Sequence, residues 1–177
     1  MANIICATRA VATLGLIVWL QPFAAAENPF SSFFGEWTLK DDQFQQVWDG
    51  ETVETLSIPD HHTDCVPLNT DGSVLCTVTA GDLNGHILWS HDGDGTMVHH
   101  QSHFGSHRMG SGVGALNPQS DLKLTISFTD EPADTYRVYT YSWVSEDEYE
   151  MMSTQYRSDG EATGNWYGGT FIRLMAK

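Results

Sequence analysis

A chain of 177 residues is long enough for one domain with its own core and short for two. Its 23 acidic and 8 basic side chains give a formal net charge of −15, which disfavours nucleic acid and anionic membrane surfaces as partners. The acids are scattered rather than blocked, as on a solvated surface.

The N-terminus carries an export pattern. Arg9 precedes an apolar run from Ala10 to Leu20, Gln21 and Pro22 break it, and Ala24 to Ala26 supply small residues at the cleavage positions. The run falls short of the ~20 apolar residues that span a bilayer. No cysteine stands at the cut, so a lipoprotein is not indicated. Cleavage is expected after Ala26. That leaves residues 1–26 as signal peptide and 27–177 as a secreted or periplasmic domain with no stable membrane anchor.

Beyond the leader, apolar and polar residues alternate with a period of two, and turn residues interrupt every ~8–12 positions. Strands are expected near 35–40, 51–58, 73–80, 86–91, 96–104, 108–116, 122–128, 134–144, 148–157 and 165–174. The clearest is Leu122, Leu124, Ile126 and Phe128 interleaved with Lys123, Thr125, Ser127 and Thr129. Residues 41–48 suggest one short helical turn, because Phe44, Val47 and Trp48 recur at helical spacing. The joints carry turn chemistry, as in Asp92-Gly93-Asp94-Gly95, Asn117-Pro118 and Ser158-Asp159-Gly160. The expected fold is all-β: a single closed antiparallel up-and-down barrel of about ten strands, which removes sheet edges. A two-sheet sandwich is the alternative.

Cys6 leaves with the signal, so Cys65 and Cys76 form an even pair in an exported chain and are expected to join. A short loop closed this way contributes ~3 kcal/mol in the chain-entropy picture. His61-His62-Thr63-Asp64-Cys65 has the atoms for zinc, but an oxidised Cys65 has no thiolate to give, and a structured loop is expected there.

All eight histidines lie between 61 and 107. His99, Gln101 and His103 share one face of a strand and His100 lies on the other. Gly110, Gly112 and Gly114 on the next strand would leave room beside His99 and Gln101. His99, Gln101 and His103 are therefore expected to face inward as the polar side of a ligand site. The competing register puts Val98, His100 and Phe104 inside. His99 and His103 stand ~13 Å apart by strand rise, too far to share one metal ion unaided, and no metal or cofactor is identified. Tyr139, Tyr141 and Trp143 share a face and are expected to form the apolar wall.

Gly35-Glu36-Trp37 near the start of the domain and Thr170-Phe171-Ile172-Arg173-Leu174 near its end resemble the calycin pattern of lipocalins and their relatives. The resemblance implies that Trp37 plugs one end of the barrel and Arg173 packs across it as closure residues. A cation over an indole stabilises by ~0.5–2 kcal/mol. The stretch from Asp134 to Leu174, with Gly164-Asn165-Trp166-Tyr167-Gly168-Gly169, also resembles small exported bacterial lipocalin-like domains of unknown function.

Nucleophile elbows and phosphate loops are missing from the sequence. The first expectation is an exported barrel holding a small, mostly apolar ligand. The alternatives are an isomerase, cyclase or hydratase using a pocket His or Tyr, and a structural envelope protein without a deep pocket. One barrel hosts many functions, so only the site can separate them.

Overall fold

The computed structural model describes residues 28–69, 72–93 and 96–174. The expected signal peptide and its cleavage point lie outside them. Twelve strands follow one another: β1 (Gly35–Leu39), β2 (Gln43–Val47), β3 (Glu54–Ser57), β4 (His62–Asn69), β5 (Ser73–Ala80) and β6 (Leu83–His91), then β7 (Val98–Phe104), β8 (Arg108–Leu116), β9 (Leu122–Phe128), β10 (Thr135–Ser145), β11 (Glu148–Arg157) and β12 (Ala162–Arg173). From β4 to β12 each strand pairs antiparallel with the next, and β1 pairs with both β4 and β12. Ten strands thus form a closed barrel, with β2 and β3 as two extra strands beside β12.

β1 and β2 together run along β12, with Leu39 opposite Phe171 and then Gln45 opposite Gly168. A 3-10 turn at Lys40–Asp42 separates them, and Asp41 and Asp42 take left-handed φ values of 54° and 57°. Aspartate tolerates that region because its short side chain can bond locally. Past the kink the chain leaves β4 and pairs with β3 instead.

Two sequence expectations need correction. Residues 41–48 do not form one helical turn: past the 3-10 turn at Lys40–Asp42, residues 43–47 are strand β2. Beyond Leu39 the edge of β12 still offers unpaired backbone, and pairing with it overrides the spacing of Phe44, Val47 and Trp48. The segment from His62 to Asn69 is not a loop but strand β4. Its inward residues Thr63 and Cys65 follow His61, so the alternation exists but is not written in aliphatic residues.

The interior is built by parity. Leu122, Leu124, Ile126 and Phe128 are buried on β9 while Lys123, Thr125 and Ser127 face out. Cys65 and Cys76 are register partners on β4 and β5 and are joined as a disulfide.

Glycine has a packing role on β8. A Cβ on Gly112 or Gly114 would run into the carbonyl oxygen of Thr125 or Lys123 on β9. Gly112→Ala is therefore expected to destabilise by more than the ~1–3 kcal/mol of ordinary overpacking, because backbone rather than a flexible side chain must give way. Urea midpoints of the variant and parent test this. Equal midpoints would mean that β8 and β9 are not held so close.

Candidate functional site

The up-and-down course of the barrel puts alternate connections at opposite ends. One end is plugged. A 3-10 turn at Ser31–Phe33 drives Phe33 into the barrel, where it is 1% exposed and packs 5.1 Å from Trp89 and 5.0 Å from Trp143, centroid to centroid. Trp37 is fully buried, and its Nε1–H donates to the Phe33 carbonyl at 2.9 Å. The Arg173 guanidinium carbon lies 4.2 Å from the Trp37 ring centroid. Arg173 also donates to the carbonyls of Ser32, Phe34 and Glu146 and to Asp147. Thus the sequence-named pair Trp37 and Arg173 meet at this end and tie first strand, last strand and plug together.

Above the plug is a cavity of about 470 Å³. Its floor is aromatic, with Phe33, Trp89, Tyr141 and Tyr149. Its walls include the Cys65–Cys76 disulfide, Val78, Ile87, Met151 and Phe171. The polar groups on the walls are few, chiefly His61, Thr63, His100 and Ser102. This ratio of apolar wall to placed polar groups is usual for small-molecule sites of ~300–1,000 Å³.

The other end carries a charged network. Arg137, wholly buried, donates through Nε to Glu131 Oε1 at 2.6 Å. Arg108 reaches the same oxygen at 2.9 Å, and Gln155 donates to Oε2 at 3.0 Å. Burial alone would raise the Glu131 pKa, but the hydrogen bonds from Arg137, Gln155 and Arg108 outweigh it and hold the carboxyl below its ordinary range. Arg108 is otherwise committed to Asp130 and the Tyr167 hydroxyl. The Tyr139 and Tyr167 hydroxyls bond to each other. Burial raises the Tyr139 and Tyr141 pKa values well above the ordinary phenol, so both remain protonated.

A directed hydrogen-bond chain lies in the cavity wall. Trp89 Nε1 and His100 Nδ1 are 2.9 Å apart, and His100 Nε2 is 3.0 Å from Ser102 Oγ. An indole can only donate, so Nδ1 accepts and carries no proton. Burial lowers the His100 pKa to about 4, so the ring is neutral at ordinary pH and its proton sits on Nε2. Nε2–H then donates to Ser102. The pair has the look of a nucleophile and its base, but the direction is wrong: His100 has no lone pair left to take the serine proton. Nitrogen-15 NMR of labelled histidine is expected to show the Nε2–H form at His100. The Nδ1–H form would contradict the chain.

His61 is the second interior imidazole. It is 8% exposed, sits against Phe171 and has its pKa lowered to about 4 by burial and then by the neighbouring His62. Two imidazoles that resist protonation when folded make stability depend on acid. Between pH 6.5 and about 4 the unfolded chain binds protons that the folded one does not. Their contribution is complete above pH 6.5 and is lost as pH falls toward 4, by at most ~1.4 kcal/mol per pH unit for each ring. Urea midpoints are expected to fall across that window, and less steeply in His100→Phe. Midpoints flat down to pH 4.5 would contradict it.

The structure divides the sequence-named site residues. Tyr139 and Tyr141 line the cavity. Trp143 does not; it belongs to the plug, 5.7 Å from Trp37, and its Nε1–H donates to the Ser120 carbonyl. His99, Gln101 and His103 are exposed on the outer wall, contrary to expectation, and Val98, His100 and Ser102 are buried inside. The cause is register. Phe104 pairs with Arg108, so three residues rather than two make the turn, and His100 pairs with Trp89 and Gly112. A one-residue slip moves a whole set of side chains to the other face. The glycines Gly110, Gly112 and Gly114 stand beside the inward set. Sequence reasoning places His100 inside only in its competing register, and it misses Ser102, Glu131 and Arg137. The apolar parity of Val98 and Phe104 was the available signal for the first two. Among the described residues no three His, Cys, Asp or Glu side chains are grouped to hold a metal ion.

No protein-family model and no curated protein matches the chain. Among solved structures it is similar to a protein of unknown function from the DUF3598 family of Nostoc punctiforme. The two share 10% identity over 83% of this chain and 98% of that one, with a TM-score of 0.23.

Proposed function

We propose that the protein is an exported, calycin-like carrier that holds one small, mostly apolar molecule inside its barrel. The observation that carries this reading is the aromatic-floored cavity of about 470 Å³ between the plug and the charged end. A barrel serving only as an envelope scaffold gains nothing from such a space, since unfilled cavity volume costs stability. The Arg9-to-Ala26 pattern and the Cys65–Cys76 bridge support an oxidising compartment outside the cytoplasm. Carriage is favoured over catalysis by the protonation states inside: His100 faces Ser102 as a donor, and Tyr139 and Tyr141 keep their protons.

Native mass spectrometry of protein purified from its own host tests the reading. The expected spectrum contains the barrel starting at Glu27 plus one small, non-covalent mass that organic solvent releases. Protein that is always bare, and that takes up no neutral apolar compound when offered, would overturn it.

A further inference from the structure

The chain from Trp89 through His100 ends on Ser102, and its direction leaves one proton over. Ser102 Oγ accepts from His100 Nε2–H, and its own O–H then needs an acceptor. Among the described residues no hydrogen bond takes that proton. Ser102 is 7% exposed and lines the cavity, so the cavity is where an acceptor for that proton can stand. A buried donor without an acceptor costs ~1–3 kcal/mol, which a bound molecule can relieve. The space beside the hydroxyl is kept clear: Gly110 on the adjacent strand is the register partner of Ser102, and a Cβ there would stand 2.6 Å from Ser102 Oγ.

The charge of the ligand follows from the groups that are already satisfied. Arg108 is the cation on the cavity surface, and Asp130, Glu131 and the Tyr167 hydroxyl occupy its two terminal nitrogens. Asp130 lines the cavity as well, and the protein as a whole is strongly acidic. An anion would meet repulsion and, among the described lining residues, no guanidinium with a free terminal nitrogen.

We propose that Ser102 is the polar recognition point of the cavity, presenting a fixed hydroxyl proton to a neutral ligand that carries a carbonyl or ether oxygen on an apolar frame. This rests on the cavity being the binding site.

Two neutral probes separate the claims. Prodan is a naphthyl ketone whose emission moves to the blue when its carbonyl loses a hydrogen bond. Its analogue has that carbonyl reduced to a methylene. Both are titrated into the folded parent and into Ser102→Ala. The expected result is a roughly three- to tenfold loss of prodan affinity in the variant, with blue-shifted bound emission and unchanged affinity for the analogue. Binding of both probes with no prodan-specific effect of Ser102→Ala would overturn the role of Ser102 and leave the carrier reading standing. Failure of both probes to bind the parent would overturn the carrier reading, and this proposal with it. Should the variant not fold, the histidine tautomer decides, because an Nδ1–H form of His100 turns the serine proton back toward the ring.

Discussion

Trp37→Ala is expected to lower the free energy of unfolding by about 3–5 kcal/mol, the cost of emptying a large aromatic site in a core. Trp37 is completely buried and does three things at once. Its ring packs 4.8 Å from Tyr149 and 5.7 Å from Trp143. Its Nε1–H satisfies the carbonyl of Phe33, which fixes the plug. Its face receives Arg173, the register partner that joins β1 to β12. Alanine leaves a void, an unpaired carbonyl and a guanidinium without its ring. Arg173→Ala is expected to cost less, because the arginine is partly exposed and its carbonyl partners can turn to water. Urea denaturation of both variants measures this. A loss below ~1 kcal/mol for Trp37→Ala would mean that barrel closure does not depend on this end.

Glu131→Ala is expected to cost a similar ~3–5 kcal/mol, by a different route. The Glu131 carboxylate is 8% exposed and is the partner of Arg137, whose side chain is fully buried. Removing the acid strands a cation in the interior, since the remaining Arg137 contacts are the Ser153 hydroxyl at 3.4 Å and the faces of Trp48 and Tyr167. Changing Glu131→Leu and Arg137→Met together is expected to cost less than Glu131→Ala alone, because no unpaired charge remains. The pH dependence has a definite sign. The folded carboxyl is held below its ordinary pKa of 4.5, so its contribution is complete above that value and is lost as pH falls through the folded pKa. Glu131→Gln should flatten the stability profile below pH 4.5 and leave the histidine window above it in place. A double variant as unstable as Glu131→Ala would contradict the ion-pair account.

Much of the barrel is legible in the sequence because its strands alternate cleanly. β9 is the plainest instance, with four aliphatic or aromatic residues inside and polar residues outside. The ends of the domain are legible through Gly35-Glu36-Trp37 and Arg173, which need no register to be found. The site is harder to read for two physical reasons. β4 presents Thr63 and Cys65 to the interior, with His61 just before it, so its inward face does not look apolar. On β7 both faces carry histidine, and the face is chosen by one residue in the Gly105–His107 turn, a length that composition does not specify. Val98 and Phe104 were the better guide than the count of histidines, because apolar burial sets strand parity and polar groups follow it. The Glu131–Arg137 pair was hidden for another reason: Glu131 sits in a turn sequence, Asp130-Glu131-Pro132, that reads as solvated surface.

A carrier of this kind must bind its ligand in the interior cavity and not on the outer wall. Val78 stands on its wall, so Val78→Trp would fill the space from a strand interior while leaving the plug and the charged network untouched. Titration with 1-aminoanthracene, a neutral apolar fluorophore, measures occupancy directly. The parent is expected to bind one molecule saturably, and a folded Val78→Trp barrel to bind it at least tenfold more weakly. Equal binding by the two proteins would place the fluorophore on the outer wall and contradict the account.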